Sequence, residues 1–278
     1  MSIIFCRYLK PSTLVLHMMS ESNGVQKLTN IGKSILIGFS KRKIKNFGAI
    51  KKYFLNKTGL EIGGPSDLFS KMGYTPFYEI ANRIDGCNFS TNTVWENVIT
   101  EGPNYQYKDQ LLGYQYIKDA TNLAEIKSES YDFVLSSHSL EHIANPLKAV
   151  EEWIRVLKNG GALFIVVPDK QYIFDHKRPY TTFEHVLQDY KNDTTEHDLT
   201  HLDEILELHD LEQDPPAGNL EQFKKRSLDN FTNRCLHHHV FDIKLMEEIF
   251  NYFNLKPVFI KPAQSIHLIA MGIKTAKD

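Results

Sequence analysis

Cysteine is scarce, with Cys6, Cys87 and Cys235 the only three in 278 residues and no CxxC spacing among them. That pattern excludes a disulfide framework and a cysteine zinc site, and it fits a reducing, cytoplasmic setting. No stretch approaches the ~20 apolar residues that a membrane-spanning helix needs. The short patch Leu14-Val15-Leu16 lacks the long apolar region and cleavage site of a secretion signal. No GxGxxG run follows a strand pattern, which argues against a nicotinamide dinucleotide site. Acidic residues are missing between Ser22 and Leu60, where Lys27, Lys33, Lys41, Arg42, Lys43, Lys45, Lys51, Lys52 and Lys57 all fall. Net charge is only −2, so the remainder of the chain is acidic, and the overall charge points neither to nor away from a polyanionic partner.

What is present divides the chain in two. Residues 1–57 read as a basic helical extension, with Ile35, Leu36, Ile37, Phe39, Ile44, Phe47, Ile50, Tyr53 and Phe54 at near-helical spacing between lysines. It either covers one end of a domain or makes peripheral contact with an anionic membrane surface, although it has no Trp to anchor it there. Residues 58–278 form the main domain. There, strand-like runs (Gly59 to Ile62, Phe77 to Asp85, Tyr114 to Lys118, Tyr131 to Ser136, Ala162 to Val167) alternate with helical patterns, as a mostly parallel α/β sheet requires. An apolar stripe from Leu140 to Leu157 marks one helix, with Gly160-Gly161 read as its stop. Val240 to Leu255 reads as another helix, followed by a closing strand pair. From about 171 to 239 the rhythm breaks into a segment rich in His, Asp and Glu, expected to be a lid or acceptor-binding insertion.

Four pieces occur in order along the main domain: Leu60-Glu61-Ile62-Gly63-Gly64, Asp119-Ala120-Thr121-Asn122-Leu123, Tyr131 to His138 with Leu140-Glu141-His142, and Arg155-Val156-Leu157-Lys158-Asn159-Gly160-Gly161. On these the chain resembles the class I S-adenosylmethionine-dependent methyltransferases, of the type 11-like kind. The resemblance implies a Rossmann-like, seven-stranded, mostly parallel sheet with helices on both faces, and S-adenosylmethionine lying across the strand ends. It implies that Ile62, Gly63 and Gly64 bring the backbone close to the cofactor, with Glu61 positioning its amino-acid end and Pro65-Ser66 completing the turn. Pro65 carries no amide proton, so one donor usual in that turn is missing. Asp85 is expected to accept from the ribose hydroxyls, with Asn88 as its substitute. Asp119 would accept from the adenine amino group with Ala120 beside it, and Ser136, Ser137 and His138 would line the floor near the methyl.

Asn88-Phe89-Ser90, Thr93-Val94-Trp95-Glu96 and His237 to Asp242 also resemble a subgroup of bacterial methyltransferases associated with surface-polysaccharide synthesis. That makes a sugar, nucleotide-sugar or phosphorylated glycan the leading acceptor, methylated on oxygen. An RNA or small-molecule N-methyltransferase, or a non-catalytic cofactor-binding scaffold, remains as an alternative, with nucleic acid the less favoured partner.

A hydroxyl acceptor needs its proton removed, and histidine is the usual base near neutrality. Ten of the twelve histidines lie between His138 and His239. His142, His201 and His238 are the candidate bases, and His176, Arg178 and His185 the candidate acceptor-binding residues, with Arg178 able to clamp a phosphate or carboxylate. His197 and His201, spaced i, i+4, could face one metal with help from the His237–His239 run, so a divalent ion is an open option, but no metal ligand is assigned.

Overall fold

The computed structural model describes residues 43–45, 47–95, 97–264 and 266–276. Most of the expected N-terminal helical extension, and the membrane contact proposed for it, lies outside the described residues. Its described end includes a short helix α1 (Phe47–Lys51). Ile50 and Phe54 are buried there, and Phe54 stacks on Phe77 at 4.0 Å.

Among the described residues ten strands follow: β1 (Thr58–Ile62), β2 (Arg83–Asn88), β3 (Asn92–Thr93), β4 (Asn97–Val98), β5 (Gly102–Tyr107), β6 (Gln110–Ile117), β7 (Tyr131–Ser137), β8 (Leu157–Pro168), β9 (Leu255–Ala263) and β10 (His267–Lys274). Eight form one sheet in the order β5-β6-β2-β1-β7-β8-β10-β9, while β3 and β4 make a small ribbon. The five strands from β6 to β8 are parallel, and β10 runs antiparallel to both neighbours. This is the Rossmann-like α/β arrangement expected, with an eighth strand added. The extra strand is β5, which pairs antiparallel with β6 at the sheet edge. Its Gly102-Pro103 start and mostly polar sequence hide it from a hydrophobic pattern, and Pro suits an edge position.

The central strands are apolar on both faces. Leu163, Ile165 and Val167 point into one core with Trp153, Ile249 and Phe250, whereas Phe164 and Val166 point into the other with Phe54, Phe69 and Phe77. A strand covered on both sides gains from burial at every position, about 1.5–3 kcal/mol for each large apolar side chain, which is why Ala162 to Val167 reads as an unbroken run. Helix α2 (Pro146–Val156) begins with Asn145 capping the Lys148 amide at 3.1 Å and proline in its first turn. Gly160-Gly161 does not stop this helix as the sequence suggests. The helix ends at Val156, and the glycines lie within β8, where register with β7 jumps between Tyr131 and Phe133.

Between β8 and helix α7 (Ile243–Tyr252) stand α3 (Phe183–Asn192), α4 (Leu202–Leu208), α5 (Leu220–Leu228) and α6 (Asn230–Asn233). The histidine-rich segment is therefore helical, with a small core of Ile205, Ala217, Phe223 and Leu236. Among the described residues no helix is long and apolar enough to cross a membrane.

Candidate active site

The carboxyl ends of the parallel strands open onto a cleft of about 460 Å³, counted out to its mouth. It is lined by Ile62, Gly63, Cys87, Asn88, Phe89, Trp95, Lys118, Asp119, Ala120, Ser139, His142, Ile143 and Arg234. Gly63 turns the chain at the end of β1 with φ +71, and a Cβ there would stand 2.1 Å from Ser139 Oγ. Glycine is needed on both counts.

Glu61 lies beneath this turn rather than on the cleft wall. Fully buried, it accepts from the hydroxyls of Tyr78 (2.8 Å) and Tyr105 (2.7 Å) and from the Ser66 amide (3.0 Å). A Cβ on Gly64 would lie 2.3 Å from the Glu61 carboxyl carbon and from the Tyr105 hydroxyl. Gly64 thus makes room for Glu61, and it lies outside the cleft lining together with Pro65 and Ser66. Ser66 Oγ donates to Ser137 Oγ at 3.1 Å, tying the turn to β7.

Asp85 does not reach the cleft, which corrects its assignment to the ribose. β2 continues three residues beyond it, and Asp85 lies in register with Leu60 inside the sheet. Its carboxylate accepts from Arg83 Nε (2.7 Å), the Tyr114 amide (2.8 Å) and the Tyr131 hydroxyl (2.8 Å). Asn88 occupies the strand end instead. Its Nδ2 donates to the Gly64 carbonyl at 3.0 Å, while Oδ1 is buried without a partner. An orphaned acceptor on the cleft wall suits a ribose hydroxyl.

Asp119 and Ala120 line the cleft just beyond β6. Asp119 Oδ1 accepts from the Thr121 amide and hydroxyl (2.9 and 2.7 Å), and Oδ2 pairs with Arg234 Nη2 at 2.9 Å. Burial pushes this carboxyl up, but Thr121 and Arg234 outweigh it and hold the group below its ordinary value, ionised and accepting. Cys87 is buried, and that burial pushes its thiol up to about 12. Ser136, Ser137 and His138 are not in the lining. Ser136 is fully buried, and His138 Nε2 turns away to His267 Nδ1 at 2.8 Å. The next residue, Ser139, takes the wall position.

Of the three candidate bases only His142 faces the cleft. Its Nδ1 donates to the Leu236 carbonyl at 3.0 Å. Burial, reinforced by His237 and opposed by Glu141, pushes its pKa down to about 3. It is neutral near pH 7, but it would hold an abstracted proton too weakly to serve as a general base. His201 sits at the head of α4 with Nε2 3.0 Å from His185 Nε2, and His238 is buried between Asn230 (3.0 Å) and Glu196 (3.3 Å). Neither reaches the cleft. His197 does not join His201, because residues 197–201 precede α4 and are not helical; it stacks on Phe231 at 4.0 Å instead.

The acceptor-binding expectations fare similarly. Arg178 is buried and committed to Asp175 (3.1 Å), Glu204 (2.9 Å) and the His237 carbonyl (2.8 Å), so it holds the insertion together instead of presenting a clamp. His176 pairs with Asp210 at 2.8 Å, and His185 lies 3.3 Å from Asp189 on α3. Sequence reasoning missed Arg234 as a site residue, and no local signal marks it, because it meets Asp119 from 115 residues away.

The family model described as a methyltransferase domain matches residues 75–165, the span holding Asn88, Asp119 and His142. A SAM-dependent methyltransferase from Aquifex aeolicus is similar at 11% identity and TM-score 0.38, over 87% of this chain and 97% of its own. One from Thermotoga maritima, described as a possible histamine N-methyltransferase, is similar at 15% identity and TM-score 0.42, over 89% and 97%. No curated protein matches the chain. The strand order, the cleft and the matched span define the class: this is an S-adenosylmethionine-dependent methyltransferase, and S-adenosylmethionine is its cofactor.

Proposed function

We propose that the protein methylates a hydroxyl oxygen of a polar small molecule, with a sugar, nucleotide-sugar or phosphorylated glycan as the acceptor class. The observation that supports this reading is the set of polar side chains in the cleft's lining, Asn88, Asp119, Ser139 and His142, beside the rings of Phe89 and Trp95. The polar groups offer hydrogen-bonding partners to a polyhydroxylated acceptor, and the rings add faces against which a sugar can lie. Behind this wall the His142 and His237 rings stand 4.5 Å apart at 77°. A surface-polysaccharide component is the narrower acceptor that the sequence pattern suggests, and a cytoplasmic site of action fits the scarcity of cysteine in the chain.

When bound, the cofactor supplies an electrophilic methyl group on a sulfonium sulfur. The chain's part is to align and to exclude water. Gly63 lets the backbone approach, Asn88 Oδ1 offers an acceptor to the ribose, and Asp119 and Ala120 face the base. Glu61, Tyr78 and Tyr105 keep the turn in shape.

The test is methyl transfer from labelled cofactor to three acceptor pools: sugars and sugar nucleotides, small amines, and RNA. Label recovered as a methyl ether in the sugar pool supports the reading. Label confined to the amine or RNA pool would replace it with N-methylation or RNA methylation.

A further inference from the structure

The carboxylate of Glu141 is fully buried, and its oxygens meet no donor at short hydrogen-bonding distance. Its partner on the same turn is His138, whose Nδ1 pairs with Oε1 at a long 3.4 Å. A buried anion held by one long contact favours a closer cation. Two imidazoles converge on it. His142 must carry its proton on Nδ1, because that nitrogen meets the Leu236 carbonyl, which only accepts. His237 likewise directs Nδ1 to the Asp175 carboxylate. In the neutral form of each ring Nε2 is the lone-pair nitrogen, and one ligand atom from each of Glu141, His142 and His237 lies within 4.8 Å of the others.

We propose that Glu141, His142 and His237 form a divalent transition-metal site whose open coordination positions take a hydroxyl oxygen of the methyl acceptor. Two histidines and one carboxylate are a ligand set that leaves positions free for water or substrate. Asp175 behind His237 is the outer carboxylate that such sites use to fix the tautomer and orientation of a ligating ring, and Arg178 holds Asp175 in turn at 3.1 Å. His142 also lines the cofactor cleft, so the open side of the site adjoins the methyl donor. An ion there makes a bound hydroxyl easier to ionise, with its proton passing to solvent. The acceptor half of this proposal rests on the hydroxyl reading above; the ion-binding half does not.

The experiment uses the full chain, stripped with chelator and titrated with Co²⁺ and then Zn²⁺. It reads metal content by mass spectrometry after gel filtration and the visible bands of bound Co²⁺. We expect about one ion per chain from this site. Glu141→Gln and His237→Ala should lose it, Asp175→Asn should weaken it by about 10- to 100-fold, and cofactor-product affinity measured by calorimetry on Glu141→Gln should stay close to wild type. A second histidine group, His185, His201 and His239, also lies within 4.8 Å and serves as the control. Retention of the ion by His185→Ala and His201→Ala places it at Glu141. Loss from those two variants with retention by Glu141→Gln, or no retained ion in the wild type, overturns the proposal. A retained ion without any methyl ether product would instead overturn the acceptor reading and leave the site standing.

Discussion

At the scale of single residues, the site depends on which carboxylate or amide stands at the end of each strand. Asn88 and Asp85 illustrate this, being three residues apart on β2 with different roles. Asn88→Ala removes the only orphaned acceptor found on Asn88 and also its bond to Gly64. We expect cofactor-product affinity to fall by about 10-fold, the worth of one to two hydrogen bonds, with little change in melting temperature. Asp85→Asn should do the reverse, because Asp85 accepts three bonds inside the sheet. Calorimetry and thermal melts on the two variants check this, and weaker binding by Asp85→Asn alone would restore the original ribose assignment. The sequence placed Asp85 at a strand end because the apolar pattern weakens after Ile84. The true end is set by pairing with β6 at Gly86, Cys87 and Asn88, which no local pattern records. Glu61 was legible as an important acid but not in its role, since its partners Tyr78 and Tyr105 lie 17 and 44 residues away.

At the scale of elements, the strands were legible wherever burial on both faces forces an apolar run, as in β7 and β8. The edge strand β5 was not, because half of it faces solvent. The insertion was recognised by composition, but its histidines were read as exposed reagents when several are fixed parts of helix ends and strand ends. His201 at the head of α4 is pushed down to about 4, by burial first and then by His185, His238 and Arg178 against the pull of Asp198. His267 at the start of β10 is lowered well below its ordinary value by burial and by His138. Unfolded histidine titrates near 6.5. Above about that pH both states are neutral at these sites and their contribution is constant; below it the unfolded chain takes up protons that the folded chain refuses, so stability is lost as pH falls from about 6.5 towards 4. Melting temperature should therefore drop between pH 7.5 and 5.5, and the drop should shrink in His201→Asn and His267→Asn. Variants with the same pH slope as wild type would show that these two imidazoles are protonated in the folded protein.

At the scale of the whole molecule, the question is how a sheet and a helical insertion act as one unit around a cofactor. Arg234 provides the link. It leaves α6 with φ +52, pairs through Nη2 with Asp119 on the sheet, pairs through Nη1 with Glu196 in the insertion at 2.9 Å, and lies 5.0 Å over the Phe89 ring. The His238 amide adds a second tie, donating to the Glu141 carbonyl at 2.8 Å. If these contacts couple the two parts, the cofactor product should stabilise both together. At 100 times its dissociation constant it would contribute about 2.7 kcal/mol, roughly a 5–10 °C rise for a chain of this size. Arg234→Met keeps the bulk and removes both ion pairs, while Glu196 retains the Ala144 amide at 3.0 Å. The variant should bind the product about 10- to 100-fold more weakly, in line with the loss of a charge-assisted hydrogen bond. Its amides from 220 to 241 should exchange faster, with protection in β1 and β7 unchanged. The opposing expectation is that the insertion is held by its own core of Ile205, Phe223 and Leu236, in which case exchange across 220–241 would match the wild type. Only faster exchange confined to the insertion, together with a smaller product-induced rise in melting temperature, assigns Arg234 the role of joining the cofactor wall to the segment that carries His237.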